Sequence, residues 1–523
     1  MTRSAKPSAA DLEKKLADAD AQVEAAPHEP RVYIARAGIY RQMNLFREAI
    51  ADYTTALELK PNEPQAMVER AIVYRRLGDT RRALADLTQA VLIDGSNPQA
   101  YHHRARCFME LGEPHKAIAD FSKCIHFAPD KPGSYFDRAE AFVKAKQHDA
   151  AIADLDKVIA LAPKVVASYQ LRALAYYHLK QLDKSLADND TALGFEPNNP
   201  LLLHNRGVVH FDLKQYKLAL ADFEKAVSLA PQQAESLYYC GLARARMGKH
   251  REAIKDFDRA LSIKSDHVGA LDEKGAALLE LKEHKALAAN DDRLLEVDAQ
   301  NASAYYRRGL VSIADKLVEQ ALHDFTQAIL RKSDFAAAYE QRARIHGMRG
   351  DKSAALRDLS LAIEHGIEDP VVFALRGRLL KDRGEFADAI RGYDRAIAGL
   401  PERIELRLER GEMHYKSGNY AKAIDDFAHC LKTRPNDAVL NFNLGSAYYE
   451  NQQHDLALEA FSRAIAANRS DAPSYLSRGE IYFAKGDFKK AADDFKRALQ
   501  TTRDPQLQQL AEQRLMQIDV MKR

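Results

Sequence analysis

The sequence has no tryptophan and only four cysteines, and the cysteines form no recognisable metal-binding or disulfide pattern. They lie far apart, with no C-x-x-C pair and no spacing typical of a zinc site. This distribution excludes a small disulfide-stapled fold and favours reduced, buried thiols in a reducing compartment. The cysteines are Cys107, Cys124, Cys240 and Cys430.

The chain also lacks an excess of charge of either sign. Lys and Arg total 77 against 75 for Asp and Glu, which gives a formal net charge of +2. This balance provides no overall field that would hold a polyanion such as nucleic acid, or an acidic membrane surface. Electrostatic binding must therefore come from local patches.

Long apolar runs are absent as well. No segment approaches the ~18 apolar residues that mark a membrane span, and the opening MTRSAKPSAADLEKKLADAD has no apolar core of the kind found in a signal peptide. We therefore expect a soluble, cytoplasmic protein with no membrane partner.

No catalytic motif stands out. There is no glycine-rich phosphate loop, no H-E-x-x-H and no nucleophile elbow. His103 and Cys107 stand at i and i+4 and could form half of a metal site, but without further ligands a packed or solvated pair is the favoured interpretation. We predict that the protein is not an enzyme and has no catalytic residues, no metal and no cofactor.

What the sequence does have is one unit repeated every 34 residues. Stepping by 34 from Phe121 in both directions reaches fourteen positions, and twelve of them hold a large apolar residue. Chance does not hold such a register over thirteen steps, so the period predicts a tandem repeat array. The positions are Tyr53, Leu87, Phe121, Leu155, Asn189, Phe223, Phe257, Asp291, Phe325, Leu359, Tyr393, Phe427, Phe461 and Phe495.

Each copy splits into two halves of helical periodicity, with a recurrent glycine between them and a recurrent proline after the second. Glycine tolerates the left-handed conformation that ends a helix, and proline lacks the N–H that would continue one. These positions predict a helix-turn-helix unit, with small residues where its helices approach. The glycines are Gly78, Gly112, Gly248, Gly350, Gly384, Gly418 and Gly486, and the prolines are Pro27, Pro61, Pro129, Pro163, Pro197, Pro231, Pro401 and Pro435.

This pattern of aromatic, small, Ala, aromatic, Ala and Pro positions resembles the tetratricopeptide repeat family. Where the family often has Trp, this chain has Tyr33, Tyr101, Tyr135 and their counterparts. The resemblance implies an all-α fold, a right-handed superhelical α-solenoid of antiparallel helix-turn-helix repeats, over residues 30–505. The fourteen repeats would be 30–63, 64–97, 98–131, 132–165, 166–199, 200–233, 234–267, 268–301, 302–335, 336–369, 370–403, 404–437, 438–471 and 472–505.

Both ends suit the need of a solenoid for caps with a polar outer face. After a disordered tail at residues 1–9, residues 10–29 are expected to form an N-terminal capping helix, and residues 506–523 a C-terminal one. The apolar residues expected to face the array are Leu12, Leu16, Ala19 and Val23 in the first cap, and Leu507, Leu510, Ala511, Leu515 and Ile518 in the second.

An arginine and an aspartate recur 16 residues apart, on opposite sides of the turn. Antiparallel helices bring these positions level, so the two residues should pair, and a structural role is favoured over a ligand-binding ladder. Among the repeats that break the match are those with Cys240 and Arg376. The predicted pairs are Arg36–Asp52, Arg70–Asp86, Arg104–Asp120, Arg138–Asp154, Arg172–Asp188, Arg206–Asp222, Arg308–Asp324, Arg342–Asp358, Arg410–Asp426 and Arg478–Asp494.

The eighth repeat, residues 268–301, departs most from the pattern. Asp291 occupies the aromatic position, and Leu287 and Leu294 replace small residues. Such inconsistency is expected at hinges or functional sites. We expect a second helix displaced by one residue, and easier local opening in this repeat.

In the family, exposed positions of each first helix line a concave groove. Carried over by position, they give a local basic strip in the first three repeats and exposed aromatics farther along. Aromatics interleaved with polar groups suit hot-spot binding of an extended peptide, although solvated Arg and half-buried Tyr also decorate solenoids that bind nothing there. The candidate partner-binding residues are Arg41, Arg75, Arg76, Arg106, Tyr177, His204, Phe211, Tyr238 and Tyr306.

Two ligand modes of the family are not expected. Asn205 and Asn443 occupy the middle position of a carboxylate clamp, but their neighbours lack the Lys, Asn and Arg that the clamp needs. An asparagine ladder would need Asn in most repeats. The resemblance instead implies a non-catalytic scaffold that binds protein or peptide partners in the groove.

Alternatives to the scaffold stay open at this point. One is a regulatory or substrate-recruiting subunit of a separate enzyme complex. An RNA-binding array is less favoured, because the basic strip spans only three repeats and the surface is near neutral, so no nucleic acid is expected. The sequence does not identify the partner or the oligomeric state.

Overall fold

The computed structural model describes residues 8–521, and within them the chain forms thirty α-helices and no β-strand. It divides inside α16 into two compact units, Met1–Ala277 and Leu278–Arg523. The predicted all-α fold is confirmed. The helices are α1 (Ala9–Ala25), α2 (Pro30–Gln42), α3 (Phe46–Leu59), α4 (Pro64–Arg76), α5 (Thr80–Ile93), α6 (Pro98–Glu110), α7 (Pro114–Phe127), α8 (Pro132–Lys144), α9 (His148–Leu161), α10 (Val166–His178), α11 (Leu182–Phe195), α12 (Pro200–Asp212), α13 (Tyr216–Leu229), α14 (Ala234–Arg246), α15 (His250–Ile263), α16 (Val268–Glu280), α17 (His284–Val297), α18 (Ala302–Ala314), α19 (Val318–Arg331), α20 (Ala336–Met348), α21 (Lys352–Glu364), α22 (Pro370–Asp382), α23 (Phe386–Gly399), α24 (Ile404–Lys416), α25 (Tyr420–Thr433), α26 (Ala438–Glu450), α27 (His454–Ala467), α28 (Ala472–Ala484), α29 (Phe488–Thr501) and α30 (Pro505–Met521).

The helices from α2 to α29 alternate as first and second helices at the interval of the sequence repeat. First helices begin at residue 30 and at every 34th residue thereafter, and second helices at residue 46 and every 34th residue thereafter. The displaced second helix expected in the eighth repeat is wrong, since α17 begins at His284, 34 residues after His250. The turn before α17 contains Lys282 in the left-handed conformation that recurs in the other turns, so the helix keeps its register.

Each turn from a first to a second helix contains one residue in the left-handed region. Seven are the predicted glycines, with φ between 75° and 81°. The other seven carry a side chain, with φ between 57° and 62°, although an L-residue costs about 1–2 kcal/mol in this conformation. Packing of the two helices therefore overrides local preference. These residues are Asn44, Lys146, Lys180, Lys214, Lys282, Lys316 and Gln452.

The apolar residues at the 34-residue period are buried against the first helix of their repeat. A Cβ added at Gly207 would lie 2.6 Å from the Phe223 ring, which explains the small residue beside the recurrent arginine. Six of the seven repeats with Phe at this position have Gly opposite it; the exception has Ala105. The six glycines are Gly207, Gly241, Gly309, Gly411, Gly445 and Gly479.

All ten predicted Arg–Asp pairs are present, with a shortest nitrogen–oxygen distance of 2.6–2.8 Å in each. In each, the guanidinium donates through Nε and Nη2 to the two carboxylate oxygens, as Arg104 does to Asp120. Such bidentate pairs fix geometry as well as charge. The structural role predicted for these residues is supported by their burial between the helices.

Nine of these ten arginines also reach the helix that precedes their repeat, which is the capping helix α1 for Arg36 and a second helix for the other eight. The sequence analysis did not anticipate this contact. Their Nη1 atoms bond to a side chain 16 residues earlier, so one guanidinium joins three helices. The bonds are Arg36–Asp20, Arg70–Thr54, Arg138–Ser122, Arg172–Asp156, Arg206–Asp190, Arg308–Asp292, Arg342–Thr326, Arg410–Asp394 and Arg478–Ser462. We call the arginines at this repeat position, together with their partners, the arginine ladder.

The two mismatched repeats resolve differently. Asp256, which faces Cys240 in the pattern, accepts a hydrogen bond from Arg244 one turn farther along α14. Arg376 donates from Nε to Ser360 at 3.1 Å and has no carboxylate partner among residues 8–521. Burial lowers the pKa of this guanidinium, and the nearby charge of Arg391 lowers it further.

The terminal helices pack on the ends of the two units. Leu12 and Ala19 of α1 are buried, and α30 buries Ala511 and Ile518, whereas Leu510 is exposed, contrary to expectation. Of the expected tail, residues 1–7 lie outside the described residues. Ser8 caps α1 and Ala9 begins it.

Two composition-based expectations can be compared with the structure. The four cysteines are buried and free, and burial raises the pKa of the Cys107 thiol to about 12. Over residues 8–521, no helix combines the length and apolar character that crossing a membrane requires.

Candidate partner-binding surface

First helices of neighbouring repeats contact one another and carry the candidate residues. In the first unit, α4 contacts both α2 and α6, and similar contacts join α8 to α10 and α12 to α14. We call the side chains that the first helices present to solvent the first-helix face.

The arginines of the expected basic strip are largely neutralised. Arg41 pairs with Glu69 at 3.2 Å, and Arg75 with Glu110 at 2.5 Å. Each acidic partner lies on the first helix of the next repeat, and the same holds for Arg106, whose Nη1 lies 2.7 Å from Asp137. Arg76 is exposed and forms no ion pair within the described residues. The strip is therefore mostly an alternation of charges, with little free positive charge.

His103 lies among these arginines. Its Nδ1 is 3.4 Å from Nη1 of Arg75, and burial, with the nearby positive charges, lowers its pKa to about 3. The imidazole is therefore neutral at physiological pH. Nowhere in residues 8–521 are three His, Cys, Asp or Glu side chains grouped to hold a metal ion.

The first-helix face carries a continuous aromatic group on α12 and α14. The Tyr239 ring is 5.4 Å from the rings of both His204 and Tyr238, and 6.0 Å from that of Phe211. Beneath them, Phe223 of α13 is 5.2 Å from Tyr239. We call His204, Phe211, Tyr238 and Tyr239 the aromatic cluster. Three of its four members were predicted from the sequence.

Tyr239 is the member that the sequence analysis missed, although it bridges the other three. The sequence signal that could have identified it is the Tyr238–Tyr239 dipeptide, because both rings then lie on α14 and the second reaches His204 and Phe211 of α12. His204 is held by a contact of 2.9 Å between Nδ1 and Oγ of Ser236, and burial lowers its pKa. Burial raises the pKa of Tyr238 to about 12, so both rings are neutral at physiological pH.

Tyr177 links α10 to α12. Its hydroxyl donates a hydrogen bond of 2.7 Å to Oδ2 of Asp212, and burial together with this carboxylate raises the Tyr177 pKa. Lys180 lies over the ring, with Nζ 5.4 Å from the ring centre. Tyr177 is therefore held at both its hydroxyl and its ring.

In the second unit, the Tyr306 ring packs against other rings and is only partly exposed to solvent. Its ring lies 4.9 Å from Phe335 and 5.8 Å from Phe325. A groove of about 690 Å³ lies farther along, lined by apolar residues of α20 and α22 that include Met348 and Leu375. The sequence analysis missed this groove because single apolar residues on a first helix resemble core positions.

Comparison with known families gives one consistent result. Models described as tetratricopeptide repeat match residues 68–132, 136–200, 375–438 and 442–507, a second such model matches 200–266, and a third matches 30–63. Together they cover more than half of the chain. No curated protein matches the chain significantly.

Several solved structures are similar to parts or most of the chain. One is the complex of Cut9 with Hcn1 from the APC/C, at 16% identity, a TM-score of 0.34, and coverage of 94% of this chain and 98% of that one. Another is the C-terminal part of a repeat protein from Cytophaga hutchinsonii, at 15% identity, a TM-score of 0.41, and coverage of 46% and 99%. YrrB, described as having an unusual peptide-binding site, matches at 19% identity and a TM-score of 0.33, covering 35% and 95%.

Proposed function

The chain belongs to the tetratricopeptide repeat family, and on that premise we propose that it is a non-catalytic adaptor that binds extended segments of partner proteins along its first-helix face. The aromatic cluster on α12 and α14 is the observation that carries this proposal. A cytoplasmic setting is part of it, supported by four buried, free thiols.

The aromatic cluster has the properties of a binding hot spot. Aromatic side chains contribute large apolar area at low entropic cost, and they dominate measured interface energies. The rings of the cluster are already held by one another and by Phe223, so binding would order few side chains. Tyr177 and Asp212 add a polar contact on the neighbouring helices, which suits an extended chain with alternating apolar and polar side chains.

The charge pattern of the same face favours a peptide over a nucleic acid. Arg41, Arg75 and Arg106 already face carboxylates of the next repeat, so few counterions would be released by a bound phosphate backbone. Nucleic-acid binding falls steeply with salt because it depends on that release, whereas aromatic contacts respond weakly.

Selection from a phage-displayed library of random peptides on the full chain tests the proposal. We expect selected peptides to bind the triple variant Tyr177→Ala, Phe211→Ala, Tyr238→Ala at least about tenfold more weakly, since hot-spot rings contribute more than about 1 kcal/mol each. Phe46→Ala is the matched control, because Phe46 is a partly buried aromatic residue, like the three changed rings, and lies on α3, a second helix of the same unit.

Two results would contradict the proposal. One is equal binding by the triple variant and the wild type, which would place the binding surface elsewhere. The other is a peptide affinity that collapses between low and moderate salt, which would show that binding depends on charge and not on the aromatic cluster.

A further inference from the structure

Asn189 on α11 stands where twelve other repeats carry a buried ring or leucine. It is only 2% exposed. Its side chain is smaller than the rings of most other repeats, and it lines a cavity of about 100 Å³ that opens between α10 and α12. The cavity is lined by Gln170, Ala173, Leu174, Tyr177, Ser185, Asn189, Asn205, Val208 and Val209.

The Asn189 side chain has a buried acceptor with nothing to accept from. Its Nδ2 donates to the carbonyl oxygen of Ser185 at 2.9 Å, which fixes the orientation of the amide. The Ser185 hydroxyl is itself committed, because it donates to the carbonyl of Ala173 at 2.8 Å. Oδ1 of Asn189 is buried and has no hydrogen-bond partner in the part of the chain that the structure describes. A buried acceptor without a donor costs about 1–3 kcal/mol, so the cavity favours a donor.

The second unit shows how this arrangement looks when the space is filled. Asp291 is the other polar residue at the same repeat position, and Arg307, 16 residues later on the next first helix, donates to it through Nε and Nη2 at 2.9 Å each. The residue 16 after Asn189 is Asn205, which lines the cavity, yet no hydrogen bond joins the two amides within residues 8–521. The second unit therefore accommodates the long side chain of Arg307 as the donor to this position, whereas in the first unit no described side chain donates to Oδ1 of Asn189.

We propose that this cavity takes the carboxamide side chain of a glutamine from a segment bound along the first-helix face, with the glutamine NH₂ donating to Oδ1 of Asn189. This inference rests on the proposed function and refines it, because it specifies one side chain of the bound segment. It makes Asn189 a specificity-determining residue.

The lining of the cavity selects this chemistry over the alternatives. A cation would be buried without a carboxylate, since none lines the cavity, and an apolar side chain would leave Oδ1 unpaired. Asn205 and Gln170 offer both donors and acceptors to the rest of the carboxamide, while Leu174 and Val208 can pack on its methylene groups. At about 30 Å³ for each water in the liquid, the cavity has room for a group of a few heavy atoms. If water fills the cavity in the free protein, a glutamine NH₂ that displaces it would replace the hydrogen bond to Oδ1.

The direct test uses the small probe N-acetylglutamine amide on the full chain with ¹⁵N-labelled asparagine. The Asn189 side-chain signal is assigned by its absence in Asn189→Leu, a variant that should fold because leucine occupies this position at Leu87, Leu155 and Leu359. We expect the probe to shift the Asn189 and Asn205 amide signals, and N-acetylleucine amide to leave them in place. Unmoved signals, or equal shifts with both probes, would overturn the proposal.

A second variant tests the direct contact. Asn189→Asp places a carboxylate at this position, as Asp291 does in the second unit, where it binds Arg307. We therefore expect this variant to bind N-acetylarginine amide in preference to the glutamine probe. Retained glutamine preference in Asn189→Asp would count against contact with this side chain.

The peptide library separates this inference from the function on which it rests. We expect peptides selected on the wild type to be enriched in glutamine at one position, and to bind Asn189→Leu about tenfold more weakly, the loss of one buried hydrogen bond. Peptides that depend on the aromatic cluster but not on Asn189 would leave the proposed function standing and remove the glutamine site. If the glutamine probe binds while no library peptide is retained, the glutamine site would stand and the proposed function would be removed.

Discussion

Arg307 donates two hydrogen bonds to Asp291, one from Nε to Oδ2 and one from Nη2 to Oδ1, each of 2.9 Å. The two side chains are 7% and 0% exposed, so this is the most deeply buried ion pair among those described. It joins α17 to α18 within the second unit and replaces the ring that other repeats place at the position of Asp291.

Removing one partner of the buried pair should destabilise the fold strongly, whereas replacing both partners with apolar residues should change its stability little. Arg307→Met leaves Asp291 as a buried charge that has lost both of these hydrogen bonds, and we expect a loss of about 3–5 kcal/mol. The double variant Asp291→Leu, Arg307→Met removes both charges and should recover most of that loss. Hydrogen exchange of α17 and α18, completed as a double-mutant cycle, measures both values. Equal destabilisation by the single and double variants would show that charge pairing is not what stabilises this contact.

The arginine ladder offers its own control. Arg104 pairs with Asp120, whereas Arg376 faces a glycine, Gly392, where the aspartate would stand. Arg104→Ala leaves the Asp120 carboxylate without its partner and should cost about 3 kcal/mol. Arg376→Ala leaves no carboxylate behind and should cost much less. Thermal unfolding and local hydrogen exchange compare the two, and similar losses would argue against the ion pair as the cause.

The lysines in left-handed turns predict a stabilising substitution. Lys146 has a φ of 58°, so Lys146→Gly should relieve the cost of this conformation and stabilise the turn by about 1 kcal/mol. Gly112→Ala at the same turn position, with a φ of 75°, should lose a similar amount. The urea midpoint of unfolding and the exchange rates of α8 and α9 report the change. A loss of stability in Lys146→Gly would mean that the lysine side chain makes a contact worth more than the strain.

His103 should make stability depend on pH below neutrality. Burial lowers its pKa to about 3 in the folded chain, from about 6.5 when unfolded. A group whose folded pKa is depressed stabilises the fold above its unfolded pKa, and that contribution is lost as the pH falls below about 6.5 towards 3. We therefore expect a smaller drop in melting temperature between pH 7 and pH 5 for His103→Gln than for the wild type.

The exposed His28 provides the comparison for that measurement. His28→Gln should follow the wild-type pH dependence. If His103→Gln followed it as well, His103 would not be the group responsible, even though Arg75 and the other arginines of the strip surround it.

The sequence predicted those features that recur with the 34-residue period. Arg104 and Asp120 stand at fixed offsets from one turn, so their pairing follows from antiparallel helices without any knowledge of the neighbouring repeats. The same reasoning located His204, Phe211 and Tyr238 on first helices. It failed for α17, because an unusual composition around Leu287 was interpreted as a shift in register, whereas the turn at Lys282 preserves the register.

Contacts between the first helices of neighbouring repeats could not be predicted in this way. Arg75 meets Glu110 and Arg106 meets Asp137 because helices of different repeats lie side by side, and no single offset describes both contacts. The partner of Asp291 and the cavity beside Asn189 belong to the same class, since each depends on which side chain the next first helix supplies. Easier opening of the eighth repeat stays a prediction, which hydrogen exchange of residues 268–301 would test.

The three-helix reach of the ladder guanidinium has a consequence for how the array unfolds. A linear repeat protein gains its cooperativity from coupling between nearest neighbours. Each ladder arginine that also bonds to the preceding helix contributes to that coupling. Within residues 8–521 this bond is lacking at Arg104 in the first unit and at Leu444 in the second, whereas Arg376 keeps it through Ser360. Under heat or mechanical load, the junctions before the helices of Arg104 and Leu444 are therefore where the array should separate first, so two interrupted links set the order in which its segments melt.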